Sequence, residues 1–390
     1  MEFLTAGESH GKALCGIIND YPSGISIHKE LIDNELLRRQ KGYGRGSRMK
    51  IEKDEVEILS GIRNNFTLGS PISFMVSNKD WENWTDIMAP FSYCDKSEKK
   101  VDLVENPRPG HADLTGSIKY RFNDIRNVIE RSSARETAMR VVIGSFSKQF
   151  LKYLDIEVKS FVSQIGRVAL KEEFEKNPDD DYFNRAEESD LRCPDEKTAR
   201  EMKDEIDKAS ESGDTLGGSF IIRIKNIPCG IGSYIQWNKR LDALLSYYLM
   251  SIPSVKALEI GNGIKASASW GTGVHDEIFY NENKKFYRAT NNAGGIEGGM
   301  SNGEDIILKI FLKPIPTTLQ GLKTVNIRNK SRQTSIKERS DICAVPSASV
   351  IGEAMSAIAV MNAVQDKFGR DNILEIVENY KNYIRYIKNI

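Results

Sequence analysis

Two of the four histidines in this chain, His10 and His111, stand in short glycine-containing runs, GESHG (Gly7 to Gly11) and RPGHAD (Arg108 to Asp113). A third run, RSSARET (Arg131 to Thr137), sets Arg131 and Arg135 around two hydroxyls, and GYGRGSR (Gly42 to Arg48) adds Arg45 and Arg48 on a glycine-rich loop. Imidazole gives and takes a proton near neutral pH, and guanidinium grips phosphate or carboxylate in a fixed fork. Together these groups can hold an anion and pass it a proton, which is what breaking a bond to phosphate requires.

Elements must hold these runs in place. Leu31, Ile32, Leu36 and Leu37 mark one side of a helix over Lys29–Gln40, with Gly42 as its stop, so Arg38 and Arg39 are carried toward the arginine loop. Val56, Ile58, Ile72, Phe74 and Val76 alternate with polar residues as in half-buried strands, and the stretch holding Trp81 and Trp84 reads as an exposed excursion. Ser133 followed by Glu136 resembles a capping box opening a long helix, which would put RSSA at a positive helix end suited to phosphate. Residues 171–209 are acidic and poor in aliphatic residues, and read as a peripheral insertion. Ser212 to Pro228 and Gly298 to Pro316 are alike, each a glycine loop, a strand and Ile-Pro; this favours one interleaved domain over 1–390. Two helices close the chain, Ser347 to Ala363 and Asn372 to Ile387, the first buried.

The 55 basic and 55 acidic residues cancel, so any anion site is local and neither nucleic acid nor an anionic membrane is an expected partner. Five scattered cysteines without a CxxC pair argue against a disulfide framework and a zinc knuckle, and fit a reducing cytoplasm. No metal is expected. No run of 18 or more apolar residues suggests a membrane span, and the polar GESHG run leaves no room for a signal segment. Each motif alone has an ordinary alternative: a satisfied loop histidine for GESHG, a surface turn for RPGHAD, a capped helix with solvated arginines for RSSARET, a plain turn for GGIEGGMSNG (Gly294 to Gly303), and a strand surface for ERSDIC (Glu338 to Cys343).

In this order, GESHG, RRQKGYGRGSRM, RPGHAD, RSSARETAMR, NNAGGIEGG, KPIPT and RSDICAVP resemble the chorismate synthase family, from Thr5 to the carboxyl-terminal helices. The resemblance implies an α+β fold, a single domain of interleaved antiparallel sheets sandwiched with helices, and a homotetramer. It also implies a lyase that converts 5-enolpyruvylshikimate 3-phosphate to chorismate and phosphate by anti 1,4-elimination, with reduced FMN and no net redox change. By the same likeness His10 is the general acid for the leaving phosphate and His111 serves the reduced flavin, an assignment that could be reversed. Asp341 takes part in removing the ring proton. Arg39, Arg45, Arg48, Arg108, Arg135 and Arg339 would bind substrate. Arg131, Ser132, Ser133, Gly298, Lys313, Pro314, Ile315, Pro316, Thr317 and Arg339 would contact FMN, and NADPH is a candidate flavin reductant.

Three positions depart from the family pattern. Pro253-Ser254 replaces a frequent Asn-Ala or Gln-Ala pair, Ser340 a histidine, and Asn292 another histidine. Two other functions compete. An FMN-dependent oxidoreductase acting on a phosphorylated anionic substrate would consume pyridine nucleotide steadily. An RNA-binding protein using the Gly42 to Arg48 loop is opposed by zero net charge and by the scarcity of aromatic partners there.

Overall fold

Alternation builds the first sheet: in β1 (Glu2–Ala6), β2 (Ala13–Asn19), β3 (Glu57–Ile58) and β4 (Ile72–Ser77), every second residue of the longer strands faces inward, as Leu14, Ile18, Ile72, Phe74 and Val76 do. The strands pair antiparallel in the order β1-β2-β4-β3. The computed structural model describes residues 1–45, 53–91, 103–176, 178–336 and 340–390. Arg48, Arg339 and Cys94 lie outside the described residues.

The second sheet contains β5 (Glu157–Ile165), β6 (Val168–Ala169), β7 (Gly218–Lys225), β8 (Val255–Ile260) and β9 (Ile306–Leu312), in the antiparallel order β8-β9-β7-β5-β6. The two look-alike segments supply β7 and β9, which lie side by side with Ile306 opposite Ile224 and Leu312 opposite Gly218. Nearly continuous apolar runs such as Ser219 to Ile224 suit strands with both faces covered.

The longer helices are α1 (Lys29–Gln40), α2 (Asp113–Tyr120), α3 (Arg126–Ser132), α4 (Thr137–Lys152), α5 (Asp180–Glu188), α6 (Glu196–Glu211), α7 (Leu241–Met250), α8 (Val345–Phe368) and α9 (Ile373–Asn389). α4 packs on β1 and β2, α8 packs on β5 and β7, and the two helices pack on each other, giving a sheet–helix–helix–sheet sandwich. This is the α+β architecture expected from the sequence. α8 is long and apolar enough to cross a membrane, but 94% of its most apolar window is buried inside the fold. Its small residues permit this: a Cβ built on Gly144 of α4 would lie 2.2 Å from Cβ of Ala354.

The stretch 171–209 joins the same core, although it reads as peripheral in sequence. Phe183 and Ala186 of α5 and Met202 and Ile206 of α6 are buried, and Phe183 meets Phe161 of β5 edge-on at 5.2 Å. Its acidic residues cover the outer face, and the few apolar ones fall at helical spacing on the inner face. Arg38 also departs from expectation. Its guanidinium turns from the arginine loop to bind Glu353 of α8 (2.9 Å), Glu35 (2.7 Å) and Glu187 (2.5 Å).

Candidate active site

His10 lies in the turn between β1 and β2 and is held by Glu130 of α3. The Glu130 carboxylate accepts from the His10 backbone N–H (2.8 Å) and lies 2.9 and 3.0 Å from its Nδ1. Trp84 stacks on the imidazole with ring centres 3.8 Å apart and 21° between planes. This corrects the reading of Trp81 and Trp84 as an exposed excursion: both are half-buried. Burial alone would raise the Glu130 carboxyl, but the hydrogen bonds and charge of His10, with Arg126, hold it below the usual carboxylate range.

The RPGHAD turn builds a second imidazole–carboxylate pair. His111 Nδ1 is 2.5 Å from Oδ1 of Asp113, whose side chain is fully buried at the start of α2. Arg108 donates to Asp113 Oδ2 through Nε (2.9 Å) and to Thr317 Oγ1 through Nη1 (2.9 Å). Burial would raise the Asp113 carboxyl, but the His111 and Arg108 hydrogen bonds drive it well below the usual range. Much of the Arg108 fork is therefore committed to holding this turn on the KPIPT segment. Lys313 donates to the Gly110 carbonyl from the other side.

Three more guanidiniums converge between α1 and α4. Arg135 donates to Asp54 Oδ2 (2.6 Å) and Asn78 Oδ1 (3.0 Å), while Arg39 donates to Thr137 Oγ1 (3.1 Å) and the Ala134 carbonyl (2.9 Å). Arg45 meets Oδ2 of Asp341 at 3.1 Å. Burial, followed by the charges of Arg45 and Arg135, pulls Arg39 down to about 10 against the opposing pull of Asp54 and Asp341. The shift comes first from burial and second from the neighbouring guanidiniums, and a bound anion would offset both.

RSSARET opens the long helix as expected, but through a 3-10 turn and after a break from the preceding helix. Ser132 is the last residue of α3, Ser133 is extended, Ala134–Glu136 form a 3-10 turn, and α4 begins at Thr137. The Ser133 hydroxyl accepts from the Arg135 N–H (3.3 Å) and donates to Ser9 (3.2 Å), and the Glu136 carboxylate accepts from Thr5 (2.7 Å) and Arg140 (3.0 Å) instead of closing a capping box. The break places Ser133 beside the His10 turn. Arg131 binds the carbonyls of Thr5 (2.8 Å) and Gly7 (3.1 Å).

The residues expected at the flavin fall on several elements. Arg131, Ser132 and Ser133 sit at this break, and the Ser132 hydroxyl returns to the Val128 carbonyl (2.6 Å). Lys313 to Thr317 follow β9. Gly298 lies in the tight hairpin Ile296–Ser301, at φ 59° with no atom within 4 Å of where a Cβ would stand. Amine, guanidinium and hydroxyl donors are the groups a phosphate needs, and the open position at Gly298 leaves room for a flat ring, so these residue types fit FMN.

The three departures are accommodated by local bonds. The Ser254 carbonyl accepts from the Lys313 N–H (3.0 Å), Ser340 Oγ donates to the Thr317 carbonyl (2.8 Å), and Asn292 bridges Asn262 (2.7 Å) and the Val274 carbonyl (3.0 Å). A continuous series of contacts thus runs from Arg45–Asp341 through Ser340 and Thr317 to Arg108 and His111. Glu130, Trp84, Asp54 and Asn78 are functional candidates missed in sequence. Glu130 is 120 residues from His10, and no local spacing links them. Asp113, two residues after His111, was visible within RPGHAD.

A family model described as chorismate synthase matches residues 1–365. Chorismate synthase of Alkaliphilus metalliredigens (strain QYMF) is 52% identical over 380 residues, covering 97% of this chain and 98% of that protein. The Sulfurihydrogenibium sp. (strain YO3AOP1) chorismate synthase is 50% identical over 392 residues, with 100% of both covered. A solved structure titled Crystal Structure of Chorismate Synthase superposes with a TM-score of 0.80 at 37% identity, covering 100% of this chain and 98% of that one. With its motifs in order, its sandwich matched and its whole length aligned, the chain belongs to the chorismate synthase family.

Proposed function

We propose that the arginine cluster of Arg39, Arg45 and Arg135 is the anion cradle of this lyase, which converts 5-enolpyruvylshikimate 3-phosphate to chorismate and phosphate in the shikimate pathway. The observation that carries the reading is the convergence of Arg39, Arg45 and Arg135, three largely buried guanidiniums, around Asp54 and Asp341. Three guanidiniums share Asp54 and Asp341, and burial amplifies their repulsion. A substrate bearing a phosphate and two carboxylates complements the clustered positive charge, and the fixed forks orient its ring. Arg48 and Arg339 belong to the same reading by family position, and Arg108 acts by positioning His111.

His10 donates the proton to the departing phosphate, a role worth roughly 10²–10⁴-fold in such reactions. Asp341 stands at the cradle's edge to receive the ring proton, with Arg45 fixing its carboxylate. His111, oriented by Asp113, hydrogen-bonds the flavin. The family uses reduced flavin, and Arg131, Ser132, Ser133, Gly298, Lys313 to Thr317 and Arg339 are the residues that would hold FMN here. When bound, reduced FMN lends electron density to the substrate without net oxidation. NADPH as the flavin's reductant, a homotetrameric assembly and a cytoplasmic location complete the proposal.

The test is anaerobic: the protein, pre-reduced FMN and 5-enolpyruvylshikimate 3-phosphate are mixed, and chorismate absorbance and phosphate release are followed together. Equal yields of both are expected. Folded protein giving neither product would overturn the reading. Steady NADPH consumption in step with substrate loss would favour the oxidoreductase instead. Replacing pre-reduced FMN by oxidised FMN plus NADPH shows whether the chain reduces its own flavin.

A further inference from the structure

We infer that Glu130 is the positioning residue of His10: it holds the Nδ1–H of the protonated imidazole, so that the proton given to the departing phosphate is the one on Nε2, with Trp84 and Arg126 as the brace. The inference rests on the reading of His10 as the acid. One carboxylate binds His10 at two levels, backbone and ring, through contacts of 2.8, 2.9 and 3.0 Å. An ionised carboxylate only accepts, so the ring nitrogen facing it carries hydrogen, and the opposite nitrogen, Nε2, does the chemistry. The Glu130 side chain is 1% exposed and that of His10 20%, so the carboxylate is shut away from water while part of the imidazole faces out.

Trp84 limits the ring's movement. Its indole lies nearly parallel to the imidazole, and its Nε1 is tied to Asp80 at 3.0 Å. Arg126 sits 5.3 Å from the centre of the Trp84 ring and 3.5 Å from Glu130, bracing both partners from one turn earlier on α3. A flipped imidazole would set a C–H against the buried carboxylate and lose its ring hydrogen bond. The brace therefore fixes one ring orientation before substrate arrives, with the Nε2–H left to be donated.

Steady-state kinetics of Glu130→Gln, His10→Ala and the double variant test this. The substituted amide carries no charge to hold the Nδ1–H of the protonated ring, and it can turn its own N–H toward Nδ1 instead. Glu130→Gln should lower kcat by at least about 10-fold, the scale seen when a carboxylate orienting a working imidazole is lost, with KM within about 3-fold. In the His10→Ala background the same change should cost nothing further, because Glu130 has no imidazole left to orient. Normal turnover in Glu130→Gln beside a slow His10→Ala would overturn the inference and leave the acid role standing. Equal losses in both backgrounds would also overturn it. Near-normal turnover in His10→Ala would remove the acid role and the inference with it. If Glu130→Gln does not fold, Glu130→Asp, which keeps the charge but withdraws it by one methylene, should show a kcat loss at unchanged KM. Unchanged kcat there would overturn the inference.

Discussion

Asp341 and Arg45 touch, yet their roles separate in kinetics. Asp341→Asn keeps the shape and a hydrogen-bonding oxygen for Arg45 but cannot take a proton. It should lower kcat on the order of 10²–10⁴-fold while substrate and flavin still bind, as measured by turnover and by equilibrium binding. Near-normal turnover would remove Asp341 from the proton path. Arg45→Ala deletes a charged fork whose hydrogen bonds are worth about 1.5–3 kcal/mol, so it should raise KM roughly 10- to 100-fold with a smaller change in kcat. An unchanged KM would take Arg45 out of the cradle.

Among elements, the junction of α4 and α8 holds the two halves of the sandwich together, and Gly144 marks its closest approach. Gly144→Ala sets two effects against each other. Alanine improves a helix interior by up to about 1 kcal/mol, whereas overpacking a tight core costs about 1–3 kcal/mol. Here the new Cβ would lie 2.2 Å from Cβ and 2.4 Å from Cα of Ala354, so the helices must separate and overpacking wins. A lower thermal midpoint is expected, and an unchanged or higher one would show that the junction yields. The break between α3 and α4 has a functional counterpart: an unbroken helix through Ser133 would lose the extended residue whose hydroxyl reaches Ser9.

At the scale of the whole molecule, Glu353 of α8 joins α1, α4 and the Arg192 turn through Arg38 (2.9 Å), Lys148 (2.5 Å) and Arg192 (2.8 Å) while fully buried. Burial would raise its carboxyl, but Arg38, Lys148 and Arg192 hold it well below its ordinary value, and Asp113 and Glu130 are also depressed. The unfolded chain protonates such carboxylates near pH 4. Their contribution is therefore fully present above that pH and is lost as pH falls through the lower folded values, because protons then favour the unfolded state. The urea midpoint should be level between pH 6 and 8 and fall below about pH 5. Glu353→Ala, which strands buried cations, should cost about 3–5 kcal/mol and flatten the acid limb. An acid limb as steep as the parent's would assign it to other groups.

Much of this was legible in the sequence. The α1 boundaries, the alternation in β4 and the buried character of α8 follow from periodicity, because each element exposes or buries residues at its own repeat. His10, His111, Arg39, Arg45 and Arg135 stood out because their motifs carry chemistry in short runs, whereas Asp341 was reached only through the family resemblance. Tertiary structure alone decided which carboxylate serves which group. Glu130 meets His10 across 120 residues, Asp54 meets Arg135 across 81, and Arg38 turns to Glu353 while its neighbour Arg39 enters the cradle. Such pairings are set by which helix faces meet after packing. Local sequence specifies each face, and only the folded core chooses its partner.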